Sequence, residues 1–220
     1  MANILCIETA TTNCSVALSA NGSVLSLRED NSKGFSHAEK LHVFIEQVLN
    51  ESDLEHKNLN AVAVSKGPGS YTGLRIGVSA AKGLCFALDI PLLSIATMES
   101  LMMQSDQNAQ FYVPMLDARR MEVYSAVFDS ERNQIRDTEA QILDSASFQQ
   151  YLEKGTVAFL GSGVDKFQAI CEHTNAHFNG NALPSAAEMA KMAQHKYNEN
   201  DFEDVAYFEP YYLKDFMITK

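Results

Sequence analysis

The segment SKGPGSYTGLRIG, residues 65–77, concentrates the residue types from which anion sites are built. Gly67, Gly69 and Gly73 permit close backbone approach, Pro68 stiffens the turn, and Ser70 and Thr72 are hydroxyl residues of the kind that cap a helix. N–H groups at such a helix start attract phosphate oxygens. Glu8 and Thr9 close the first apolar run, and Asp117 and Arg119 hold the equivalent place in the second half. With Arg75 they complete a candidate nucleotide cleft whose chemistry would be phosphate binding or transfer. Two observations weaken it. No Gly-Lys-Ser/Thr follows the glycines at P-loop spacing, and the run after Glu8, TATTNCS, lacks the glycine of a phosphate hairpin.

The same glycines permit a packing reading. Gly73, Gly77 and Ala80 or Ala81 recur at helical spacing and form a ridge of small residues. A helix-interior glycine costs about 1 kcal/mol relative to alanine, so two in the first turns imply a compensating close approach. The ridge could face the protein's own sheet, or a helix pair belonging to a second chain.

Other constellations carry less. HTNAH (173–177) has HxxxH spacing, but Asn175, Asn179, Gly180 and Asn181 end any helix there, so His173 and His177 are expected as exposed loop histidines and no metal is expected. His37 and His42 lie five apart, about 140° around a helix, and cannot clamp one ion. No GxSxG elbow anchors a hydrolase triad. The four cysteines form no CxxC pair and read as buried hydrophobes in a reducing compartment.

The elements that would position these residues follow from pattern. Strands are expected at 3–9, 14–20 and 23–29, with Asn21-Gly22 as a type I′ hairpin turn. Leu41, Phe44, Ile45, Val48 and Leu49 make an apolar stripe on a helix over 36–50, opened by a Ser36/Glu39 capping box. A strand at 60–66, a helix at 72–88 and a strand at 91–95 complete the first half. The second half repeats the order: strands at 111–117, 121–128 and 134–143, a helix at 146–153, a strand at 156–161, and helices at 163–172 and 185–198.

Two βββαβα lobes, 1–103 and 104–220, are therefore expected, with QSDQNAQ (104–110) between them and the extreme C-terminus packing back on the first lobe. This suggests an α/β, two-lobed actin-like ATPase (ribonuclease H-like) fold, each lobe a mixed sheet flanked by helices. The net charge of −11 argues against holding a nucleic-acid backbone unaided. No basic leader and no run of about 20 apolar residues is present, so a soluble, cytoplasmic protein with no membrane contact is expected.

ILCIETAT, SKGPGSYTGLRIGVSAAKGL (65–84), DARRMEVY (117–124) and PYYLK (210–214) resemble the TsaB family, also called YeaZ, over nearly the full length. The resemblance implies a non-catalytic partner and activator of TsaD. TsaD transfers a threonylcarbamoyl group to adenosine 37 of tRNAs reading ANN codons, and TsaE, an ATPase, joins the assembly. It further implies an interface made by the two N-lobe helices, used for a homodimer in isolation. That assigns Leu41, Phe44, Ile45 and Val48 with Gly73, Gly77, Ala80 and Ala81 to the partner, and tRNA to the complex alone. DARRMEVY would lie in an interlobe cleft, with Asp117 and Arg119 as an ion pair. The family usually has Asp where this chain has Glu8. TsaD carries an HxxxH metal motif where this sequence reads SIATMESLM (94–102), so Thr97 and Leu101 replace the two histidines. No cofactor is then required, and at most weak adenine nucleotide binding is left open. The rival expectations are an ATPase or small-molecule kinase of the same fold, and a homodimer with an unrelated structural role.

Overall fold

Strand β1 (Asn3–Glu8) carries only apolar side chains from Ile4 to Ile7, and it lies at the centre of a sheet, buried on both faces. The computed structural model describes residues 2–32 and 37–214. β2 (Cys14–Ala20) and β3 (Ser23–Asp30) run antiparallel beside β1. Asn21 and Gly22 have φ of 51° and 76°, the left-handed pair that a type I′ turn needs. Helix α1 (His37–Glu51) follows, and the expected cap residue Ser36 lies outside the described residues. β4 (Ala61–Gly67) then adds in parallel to β1, helix α2 (Tyr71–Leu88) crosses back, and β5 (Leu92–Ala96) adds in parallel to β4. The order is β3-β2-β1-β4-β5. A short helix, α3 (Thr97–Met102), was not expected from the pattern.

The second sheet has the same logic. β6 (Phe111–Asp117), β7 (Glu122–Asp129) and β8 (Gln134–Ile142) form its meander. After the single turn of α4 (Gln149–Leu152), β9 (Val157–Leu160) adds in parallel to β6. After α5 (Val164–Gln168), β10 (Ala176–Asn179) adds in parallel to β9. The order is β10-β9-β6-β7-β8. The helices expected at 146–153 and 163–172 are shorter than their patterns. Packing here is carried by an aromatic cluster instead: the Phe148, Phe159 and Phe167 rings meet edge-on at 4.9–5.5 Å. His177 lies on β10, not in a loop, because Phe178 stacks on Phe159 at 5.4 Å and draws the segment into the sheet. His173 and His177 are both exposed.

The last helix, α6 (Ala186–Glu199), overturns the expected division of the chain. Its stripe of Ala186, Met189 and Ala193 packs on Ile4, Cys6, Ala17, Ala61 and Ala63 of the first sheet. Those small side chains leave room for a helix. The described residues of Met1–Ser100 and Pro184–Lys220 therefore form one unit, and Leu101–Leu183 the other. The expected boundary at 103/104 shifts only slightly, but residues 184–214 belong with the first unit. Cys6, Cys14 and Cys85 are buried in this unit, and burial pushes their thiols up to about 12, 11 and 11. They act as small hydrophobes.

Candidate functional site

The glycine segment leads from β4 into α2. Ser70 is the N-cap of α2, its Oγ accepting the Gly73 N–H at 3.2 Å. The Ser70 N–H is donated to Ala10 O at 2.7 Å, and that of Leu74 to Ser70 O at 2.9 Å. The spaces left by missing side chains are filled by β1 and the turn after it. A Cβ on Gly69 would lie 2.4 Å from Ala10 O, one on Gly73 2.1 Å from Thr9 O, and one on Gly77 2.2 Å from Thr9 Oγ1. The buried Thr9 hydroxyl donates to Gly73 O at 2.8 Å. The glycines of this loop seat α2 against the end of β1.

Glu8, at the end of β1, is enclosed by the same turn. It is wholly buried; Oε1 accepts the Ala10 N–H at 2.6 Å, and Oε2 has no hydrogen-bond partner among the described residues. Burial, opposed by hydrogen bonds from Ala10, Ser65 and Thr9, pushes the carboxyl up to about 7. Thr97 and Leu101 are also wholly buried. Among the described residues no group of three or more His, Cys, Asp or Glu side chains could hold a metal ion.

In the second unit, Asp117 pairs with Lys166 at 2.7 Å, not with the Arg119 guanidinium. Arg119 contributes its backbone N–H, which donates to Asp117 Oδ1 at 2.6 Å. Arg119 and Arg120 both take left-handed φ, 74° and 47°, to make the tight turn into β7. Lys166 comes from α5, 49 residues along the chain. Nothing in the local pattern around DARRMEVY points to it.

The residues expected to meet a partner divide by face. Leu41, Ile45 and Val48 are buried in the core of the first unit, packed with Leu5, Val16 and Val62. Gly73, Gly77 and Ala81 are buried too. The face that carries these six is turned inward, so they pack within the first unit and do not form its outer surface. Phe44 and Ala80 are half-buried and flank that core.

The outward faces form a different surface. A groove of about 700 Å³ is lined by Ala38 and His42 of α1 and by Tyr71, Thr72, Arg75, Ile76, Ser79, Ala80, Gly83 and Leu84 of α2. Ala80, Thr72 and Arg75 thus stay in the candidate site, in a new role. Gly83 is exposed, and a Cβ there would have nothing within 4 Å. The signal was legible: positions 72, 76, 79, 80 and 83 are a second stripe at helical spacing, small or apolar apart from Thr72.

Two sheets of matching order, each flanked by helices, define an actin-like protein. The family model described as "TsaD: tRNA N6-adenosine threonylcarbamoyltransferase" matches residues 33–216. The "tRNA threonylcarbamoyladenosine biosynthesis protein TsaB" of Escherichia coli strain K12 is 28% identical over 220 residues, covering 96% of this chain and 94% of that protein. The protein of the same description from Bacillus subtilis strain 168 is 28% identical over 219 residues, covering 96% and 93%. A crystal structure of a Pseudomonas aeruginosa protein "with similarity to peptidase YEAZ" superposes with a TM-score of 0.86 at 24% identity, covering 97% of this chain and 100% of that one. The chain belongs to the TsaB (YeaZ) family, within the reach of the broader TsaD model. Among the described residues no helix is long and apolar enough to cross a membrane.

Proposed function

We propose that this protein is a non-catalytic partner and activator of TsaD in the formation of N6-threonylcarbamoyladenosine at position 37 of tRNAs reading ANN codons. The observation that carries this reading is the outward groove between α1 and α2. It is lined mostly by small and apolar side chains, so a helix of a second chain can approach closely. The full-length likeness to TsaB proteins supplies the pathway. The accessory role is supported by Thr97 and Leu101, which stand where TsaD has its histidine pair, and by a glycine loop packed on its own strand. TsaD occupies the groove, TsaE joins the assembly, and a second copy of this chain occupies the groove when TsaD is absent. The tRNA is held through the complex, as the charge of −11 favours. The chain itself requires no cofactor. The site of action is the cytoplasm.

Gly83→Arg tests the docking surface without disturbing the fold, since the new side chain starts in open space. Titration calorimetry with TsaD should show Kd weakened about 100-fold or more, as for a charge forced into a close-packed contact. The thermal midpoint of the free variant should not fall. Unchanged affinity would remove α2 from the interface.

A further inference from the structure

Beyond Asn200, which closes α6 with φ of 55°, the chain runs as a strap of irregular structure over the first unit. No side chain from Asp201 to Lys214 is fully buried, but the half-buried Val205 and Phe208 pack on the core of the first unit. Polar contacts fix the rest. The Glu203 N–H donates to Leu92 O at 2.9 Å at the edge of the sheet, and Ser94 Oγ donates to the Glu203 carboxylate. Lys82 Nζ, on α2, donates to Ala206 O at 3.2 Å and Phe208 O at 2.9 Å. The Tyr211 N–H donates to Lys66 O at 2.7 Å. Gly67 is needed for this seat: its φ is +109°, and a Cβ there would lie 2.7 Å from Tyr211 O.

The strap ends against the groove. The Tyr212 ring packs on Tyr71 with centroids 4.9 Å apart. Arg75 lies over the same Tyr71 ring at 5.1 Å, and its Nη1 donates to the Tyr71 hydroxyl at 3.2 Å. Tyr71 and Arg75 line the groove; no strap residue does. The strap therefore leaves the groove open and fixes the two long side chains at its rim.

We propose that the 203–212 strap is a positioning clamp for the partner-binding groove, in which Tyr212, held by the Tyr211–Lys66 backbone bond and the Gly67 gap, fixes Tyr71 and Arg75 for a docking protein. This rests on the reading that TsaD occupies the groove. Pre-fixed rim side chains lose less rotamer freedom on association, which is what pre-organisation contributes to affinity. A rim side chain that must be immobilised on association costs up to about tenfold in affinity, so loss of the ring pair should weaken binding about three- to tenfold.

The test is calorimetric titration of TsaD with the full chain and with Tyr212→Ala, Tyr212→Phe and a chain ending at Glu209. Tyr212→Ala and the shortened chain should bind about three- to tenfold more weakly, and Tyr212→Phe, which keeps the ring pair, should bind as the full chain does. Equal affinity for all four, tighter binding by the shortened chain, or failure of Tyr212→Phe to restore affinity would overturn the clamp. Failure of the unaltered chain to bind TsaD would instead overturn the docking reading on which the clamp rests.

Discussion

Gly73→Ala should lower the stability of this protein by about 3 kcal/mol, whereas Gly83→Ala, ten residues along the same helix, should raise it by about 1 kcal/mol. Both replacements remove the same entropic cost of a helix-interior glycine. They differ in what the new methyl meets. At Gly73 it lies 2.1 Å from the Thr9 carbonyl oxygen, part of the buried chain that closes β1. Backbone there cannot yield without disturbing the central strand. At Gly83 it meets nothing within 4 Å. Gly77→Ala is the informative intermediate, because its methyl collides with a side chain, Thr9 Oγ1, at 2.2 Å. Thr9→Ala removes that oxygen along with its bond to Gly73 O. The pair should therefore be non-additive, with Gly77→Ala much better tolerated in the Thr9→Ala background. Urea midpoints for the unaltered chain and these five variants measure this. Equal losses at Gly73 and Gly83 would mean that α2 is not seated on β1 as described.

The second large effect concerns Glu8. Its folded carboxyl is pushed up to about 7 by burial, while an unfolded glutamate titrates near 4.3. Below about pH 4 both states hold the proton and nothing is lost. Between about pH 4.5 and 7 the unfolded chain releases a proton that the fold keeps, so stability falls as pH rises. Above pH 7 the full penalty applies, about 3–4 kcal/mol. Glu8→Gln cannot ionise. It should be more stable than the unaltered chain at pH 8 by about that amount, with the gap closing towards pH 4. Thermal melts across that range decide it. A stability difference that does not change with pH would contradict the picture of a carboxyl kept neutral by its surroundings.

The groove and the glycine ridge mark where sequence reasoning succeeds and where it stops. Ser70 as cap, Asn21-Gly22 as hairpin turn and the amphipathic stripe of α1 were legible because each is a local signal. The direction of a face is not local. Gly73, Gly77 and Ala81 announce a close approach, and the spacing is the same whether the approaching group is β1 or a second protein. Leu41, Ile45 and Val48 likewise mark a buried face without saying what buries it, and here it is their own sheet. The outward stripe through Ser79, Ala80 and Gly83 was written in the same helix, on the opposite side. Asp117 illustrates a second limit. Its cation is Lys166 on another element, and chain order does not reveal pairs made by folding. α6 is the third: its place in the order matched the second half, but the small residues of β1 and β4 accept it.

The central claim, that this chain activates TsaD without performing the reaction itself, is met most directly by reconstituting tRNA modification. TsaD, TsaE and the threonylcarbamoyl-adenylate synthase would be combined with unmodified tRNA, with and without this protein. Modified adenosine should form only when the protein is added, none should form with the protein in place of TsaD, and Gly83→Arg should depress the yield. Product formed equally well without the chain, or formed by the chain in the absence of TsaD, would contradict the account.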